Sequence, residues 1–172
     1  MSAGGNLRVR SEPRAWDALA RAAASRVAVA SARAQRELLV FKLDGGAYAL
    51  PIERVREIVR PRALTPMPHV PAEILGVLSL RGEIVQVIDA RRRFALPALA
   101  PARESRVIVM TSEGGGVAGL LVDAVREVLR VDEAELRPPT HAESGLIVAL
   151  APRGAGFVNV VAPEQLVSFD GN

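Results

Sequence analysis

The 172 residues predict a mainly β fold built as two similar halves behind a basic leader. Three observations carry that expectation. Beyond Arg36 the chain is a succession of short β-branched and aliphatic runs divided by Gly and Pro, the pattern of strands and tight turns. Segments of this stretch recur at a nearly constant offset, which marks two copies of one structural unit. Composition changes at the same boundary, from an Arg/Ala-rich beginning to a nearly neutral remainder. A hydrophobic content of 49% is ample for a packed core at this length.

The leader comes first. Seven of the 22 basic residues lie in 1–36 against Glu12 and Asp17, a local charge of +5, so the remaining 15 basic and 17 acidic groups give −2. The total of +3 and the sequence pI of 10.4 therefore belong to the leader. Ser11 can cap a helix with Pro13 in its first turn, and Trp16, Leu19, Ala20, Ala23, Val27 and Ala30 follow at helical spacing. The segment reads as a partly helical or disordered leader, and the same composition suits a docking helix or a transit peptide. A nucleic-acid or membrane-surface binder would owe its retention on heparin or anionic lipid to these residues.

Eight strands follow in order: LLVFKL (38–43), AYALPI (47–52), VLSL (77–80), EIVQVID (83–89), RVIVMT (106–111), VAGLLV (117–122), LIVAL (146–150) and GFVNVVA (156–162). Such short runs point to antiparallel barrels or a sandwich. IERVREIVR (52–60) and VDAVREVLR (122–130) carry helical spacing and predict two short helices, each directly after a strand. Pro61, Pro66, Pro68 and Pro71 make the segment between them an extended connector. A shift of 70 positions lays Gly45, Gly46, Leu50, Val55, Arg56 and Glu57 on Gly115, Gly116, Leu120, Val125, Arg126 and Glu127. A shift of 73 lays IVQVIDA (84–90) on FVNVVAP (157–163), so the domain at 37–169 divides into halves at about 37–96 and 104–169.

Catalytic chemistry finds little footing. With no cysteine, thiolate nucleophiles, disulfides and cysteine-ligated metals are excluded. His69 and His141 are far apart in sequence, and no H-x-x-x-H or D-x-D spacing accompanies them. Gly114, Gly116 and Gly119 spell G-x-G-x-x-G, but the repeat makes VAGLLV a strand, whereas a dinucleotide site needs a helix there. Arg91, Arg92 and Arg93 are read as a solvated face or local ion pairs, since no aromatic platform accompanies them except Phe94. No run of apolar residues is long enough to span a bilayer, and a reducing cytosol is the expected compartment.

One segment is specific. EILGVLSLRGEIVQVIDARRRF (73–94) resembles the CheW-like family of bacterial chemotaxis coupling proteins, whose pattern here is G-V-x-N-L-R-G-x-x-x-P-V-I-D-L-R-x-x-F. It stands as Gly76, Val77, Leu80, Arg81, Gly82, Val87, Ile88, Asp89, Arg91 and Phe94, with Ser79, Gln86 and Ala90 as departures. YALPIERVREIV (48–59), LTPMPHVPAEILG (64–76) and GLLVDAVREVLRVDEAELRPP (119–139) resemble other parts of the family in the same order.

The resemblance implies two five-stranded SH3-like β-barrels with a hydrophobic interface. It implies a non-enzymatic adaptor without cofactor or metal, which holds the histidine kinase CheA beside the signalling tips of methyl-accepting chemoreceptors. Rings with the kinase's CheW-like regulatory domain, a cytoplasmic location and contact with the membrane only through receptors follow from the same resemblance. By similarity the receptor groove lies between the barrels, with Val55, Gly76, Leu80, Arg81 and Val122 as candidates. Leu43 is the candidate on a kinase-facing barrel end, and Gly82, Asp89 and Asp123 belong to the structural motif. Arg81 has a competing role in an internal ion pair with Glu83, Glu57 or Asp89. Ala162 replaces the Asp of the first half, and 140–147 is a short connection. A variant that binds receptor but not kinase, in a non-flagellar system, is the alternative.

Overall fold

The computed structural model describes Trp16 and residues 18–23, 34–111, 115–140 and 145–168. In the leader, Trp16 and 18–23 are helical, with Trp16 and Leu19 exposed. Ser11, Pro13, Val27 and Ala30 lie outside the described residues, as do Gly114, His141 and the connection at 141–144. A separate unit begins at Gln35, and the fold below is its own.

All eight expected strands are present, and both stretches of helical spacing are strands as well. In order they are β1 (Gln35–Leu43), β2 (Gly46–Pro51), β3 (Val55–Val59), β4 (Ile74–Leu80), β5 (Glu83–Asp89), β6 (Arg106–Thr111), β7 (Val117–Val122), β8 (Ala124–Asp132), β9 (Ile147–Arg153) and β10 (Gly156–Val161). The two helices expected at 52–60 and 122–130 are therefore replaced by β3 and β8. Within those two stretches, only Ile52–Arg54 forms a 3-10 turn. The physical reason is that residues four apart share a face in a helix and in a strand alike. Burial in β3 decides for period two, with Val55, Glu57 and Val59 half-buried and Arg56 and Ile58 exposed. β8 pairs along the whole of β1, from Gln35 opposite Asp132 to Lys42 opposite Ala124. Two short helices come elsewhere, α1 (Ala90–Arg93) after β5 and α2 (Pro163–Val167) after β10. Pro163 opens α2 at a position where its missing N–H is not needed.

The strands make two five-stranded sheets, β8-β1-β2-β10-β9 (sheet A) and β3-β6-β7-β5-β4 (sheet B). Replacing each strand of sheet A by its repeat partner generates the order of sheet B, so the duplicated sequence is a duplicated architecture. The sequence halves nevertheless do not coincide with the sheets. Each half contributes its first two strands to the sheet completed by the other, and sheet B occupies an unbroken stretch between β2 and β8. The chain crosses between sheets only at Ile52–Arg54 and at Asp123.

Three buried clusters follow from strand alternation. Leu38, Val40 and Val158 fill sheet A, and Val85, Val107 and Val109 fill sheet B. Leu39, Phe41, Ile88, Ile108, Leu120 and Leu166 belong to a third cluster drawn from both sheets. β1 and β6 thus bury both faces, which is why they read as continuous apolar runs rather than alternating ones.

Candidate partner-binding surface

The family-like segment forms the hairpin of β4 and β5. Its first glycine is required by contact, since a Cβ on Gly76, where φ is +139°, would lie 2.4 Å from the Thr65 carbonyl oxygen. That closeness lets Thr65 exchange two 2.9 Å backbone hydrogen bonds with Val77 and cover the outer edge of β4. Gly82 is required by conformation instead, having φ of +85° and open space around it. Arg81 shares the turn with φ of +50°, and Leu80 faces Glu83 across it, the geometry of a two-residue primed hairpin. Asp44 and Gly45 repeat this between β1 and β2.

An arginine with positive φ at a hairpin tip points outward, and its side chain is 79% exposed. Its ion-pair partner is Glu57 at 3.4 Å, while Arg56 holds Glu83 at 2.6 Å. These crossed pairs join β3 to the β4–β5 hairpin from the far edge of the sheet and curl sheet B closed. Arg153 on Glu127, at 2.6 Å, links β9 to β8 in sheet A in the same manner. At such exposure each pair contributes little stability. The Glu57 partner is among those anticipated for Arg81.

The remaining sequence candidates divide by burial. Gly76 shapes the backbone, Leu80 packs inside sheet B, and Val55 packs against the cluster between the sheets. Val122 is a buried member of that same cluster and offers no surface. Leu43 was expected on an exposed barrel end, yet it is 1% exposed, because the odd-numbered residues of β1 face the other sheet. The apolar side chains that do reach solvent are others. Ile84 is 68% and Phe157 48% exposed, and Ile58 and Val128 are exposed too. Ile84 and Phe157 are repeat partners, as are Ile58 and Val128; the offset pairs them, and the mistaken helices concealed the second pair. Arg137 lies over the Phe157 ring at 5.0 Å from its centroid.

Asp89 and Asp123 are structural. Asp89 caps α1 by accepting the Arg91 amide at 2.9 Å, and its other oxygen faces Arg92 at 3.4 Å. Arg91 donates from Nε and Nη2 to the two oxygens of Asp123 at 2.7 and 2.8 Å, and from Nη1 to Asp44 and to the Pro97 carbonyl. Asp123 also accepts the Asp44 amide at 2.8 Å. Arg92 and Arg93 donate to the carbonyls of Ala72, Gln165 and Ser168. The expected local ion pair is present between Asp89 and Arg92, but Arg91 is buried and pairs across the fold with Asp123 and Asp44 rather than standing on a solvated face. A cleft of about 280 Å³ beside this knot is lined by Leu99, Pro101 and Leu121 among apolar groups, and its Arg91 and Arg126 are paired with Asp123 and Glu104.

Burial works to raise the Asp123 carboxyl, but the Arg91 hydrogen bonds, the Asp44 amide and the charges of Arg91 and Lys42 outweigh it and hold it below the ordinary range. A depressed folded pKa gives stability that is complete above the unfolded value and lost as pH falls through the folded one. Denaturant titration from pH 7 to 2 is expected to show Asp123→Asn less stable at neutral pH. That deficit should shrink only below about pH 4. An unchanging deficit would assign the carboxylate no part in acid sensitivity.

Among the described residues no group of three or more His, Asp or Glu could hold a metal ion, and no helix is long and apolar enough to cross a membrane. The position of Gly119 within β7 removes the helix a dinucleotide motif would need.

The family model "CheW-like domain" matches residues 37–170. A chemotaxis protein CheW of Rhizobium meliloti is 38% identical over 60% of this chain and 66% of its own length. That of Bacillus subtilis is 33% identical over 76% of each. The crystal structure of the scaffolding protein TtCheW from Thermoanaerobacter tengcongensis superimposes with a TM-score of 0.75 at 30% identity, covering 81% of this chain and 97% of that one.

Proposed function

The chain belongs to the CheW-like domain family, whose members are non-catalytic scaffolds, and from that premise we propose that it couples chemoreceptor tips to a CheA-type histidine kinase. The observation that carries the reading is the β4–β5 hairpin, where Gly82 fixes a turn that holds Arg81 outward with Glu57 as its ion-pair partner. A guanidinium so placed can exchange that weak partner for a carboxylate on a receptor helix. Val55, Gly76 and Leu80 shape the surface beneath it, and Val122 acts only through the packing behind.

Kinase and ring contacts are assigned to the two barrel ends. Ile84 and Phe157 stand just after equivalent hairpin turns on different sheets, so each barrel offers an exposed apolar anchor at that end. An adaptor with two such ends suits partners that carry the same fold. Its working place would be the cytoplasmic receptor array.

Ala162 does not favour a kinase-blind variant. Asp89, its repeat partner, is buried and spends its carboxylate capping α1, so the replacement removes a cap rather than an outward contact.

Binding of the full chain to a purified receptor signalling tip and to the kinase regulatory domain tests the proposal. Both should bind. Arg81→Glu should weaken receptor binding at least ten-fold, about 1.4 kcal/mol, while its melting temperature stays within about 2 °C because the side chain is exposed. Binding to neither partner overturns the coupling role. Receptor binding alone identifies the kinase-blind variant instead.

A further inference from the structure

The two crossings between sheets are each tied by an ion pair to a short helix. At Asp123, where β7 of sheet B leads to β8 of sheet A, the tie is Arg91 of α1. At Arg54, where β2 of sheet A leads to β3 of sheet B, the tie is Glu164 of α2. The offsets that relate the halves make Arg91 equivalent to Glu164, and Asp123 equivalent to Glu53, the neighbour of Arg54. The two ties are one device built twice with its charges exchanged.

The helices carrying them are in contact, since Arg93 of α1 donates to the carbonyls of Gln165 and Ser168 at 2.5 and 2.8 Å. With helices this close, the order of charge matters. Engaging a helix with the wrong crossing would set Arg91 against Arg54 and Glu164 against Asp123. Like charges oppose both mistakes, so only one arrangement satisfies all four groups.

Each sheet also has its own core, while the cluster between them is apolar. Hydrophobic packing holds the sheets together but is tolerant of small rotations, whereas the bidentate Arg91–Asp123 pair and the Arg54–Glu164 hydrogen bond are directional. We propose that the two charge-reversed clamps set the angle between the sheets, and that releasing either one lets the sheets rock while each keeps its own core. The inference is independent of which partners the chain binds.

The absence of native cysteine allows paired spin labels on Ser79→Cys and Ala155→Cys, exposed positions on sheets B and A. Pulsed dipolar spectroscopy on the full chain, with amide exchange at Leu38 and Val40 and at Val85 and Val107, reads angle and core separately. Arg91→Gln is expected to widen the inter-label distance distribution about two-fold with core protection unchanged. Glu164→Gln, on a more exposed residue, should widen it in the same way should Arg91→Gln fail to fold. The exchanged pair Arg91→Asp with Asp123→Arg should narrow it again. An unchanged width in both single variants overturns the proposal. So does a loss of protection in both cores alongside the widening, which would make the pairs ordinary contributors to stability.

Discussion

Phe41→Ala is expected to destabilise the domain by about 3–5 kcal/mol, the cost of truncating a fully buried aromatic ring. Phe41 is wholly buried on β1, stacks on Tyr48 with ring centroids 6.0 Å apart, and through Tyr48 reaches Phe94 beyond α1. Its ring belongs to the cluster between the sheets, so truncation leaves the cores inside sheets A and B untouched. Equilibrium urea unfolding should nonetheless show one transition, because sheet A needs chain from both sides of sheet B. Two resolved transitions, or a loss below about 1 kcal/mol, would mean that the sheets are stable apart and that the interface contributes little.

The second large effect is expected at Gly76. Alanine there would place Cβ 2.4 Å from the Thr65 carbonyl oxygen, with backbone on both sides of the clash and a φ that L-residues avoid. Relief requires lifting Thr65 off Val77 and giving up two hydrogen bonds, at a cost of roughly 3 kcal/mol. Thermal melts should fall by on the order of 10 °C for a domain of this size. Gly82→Ala is the comparison: φ is also positive, but nothing lies within 4 Å, so the cost should be nearer 1 kcal/mol. Equal losses at the two glycines would remove the Thr65 contact as the reason for Gly76.

What the sequence disclosed follows from which signals are local. Strands bounded by Gly or Pro, such as EIVQVID and RVIVMT, were legible because alternation or continuous apolarity is written into neighbouring residues. VREIV and AVREVLRV were misread because a spacing of four fits helix and strand equally, and the deciding pairing partners, β6 and β1, are distant in sequence. The repeat was legible; the exchange of strands between halves was not, since identical units can pair within or across copies. At the candidate surface, the internal ion pair of Arg81 was legible from charge, with Glu57 one of three partners that the sequence offered. Leu43 was placed wrongly, because the sequence does not say that β1 is buried on both faces. Ile84 and Phe157 were visible only through the offset relating the halves.

The unbroken placement of sheet B between β2 and β8 gives the two barrels different histories on the ribosome. By the time Val122 has left the exit tunnel, every strand of sheet B has been made. β1 and β2, although synthesised earlier, must wait for β8, β9 and β10 before their sheet can close. Two barrels of one pattern are thus assembled in opposite senses, one as a continuous product and one as a frame shut around it only once β10 has been made.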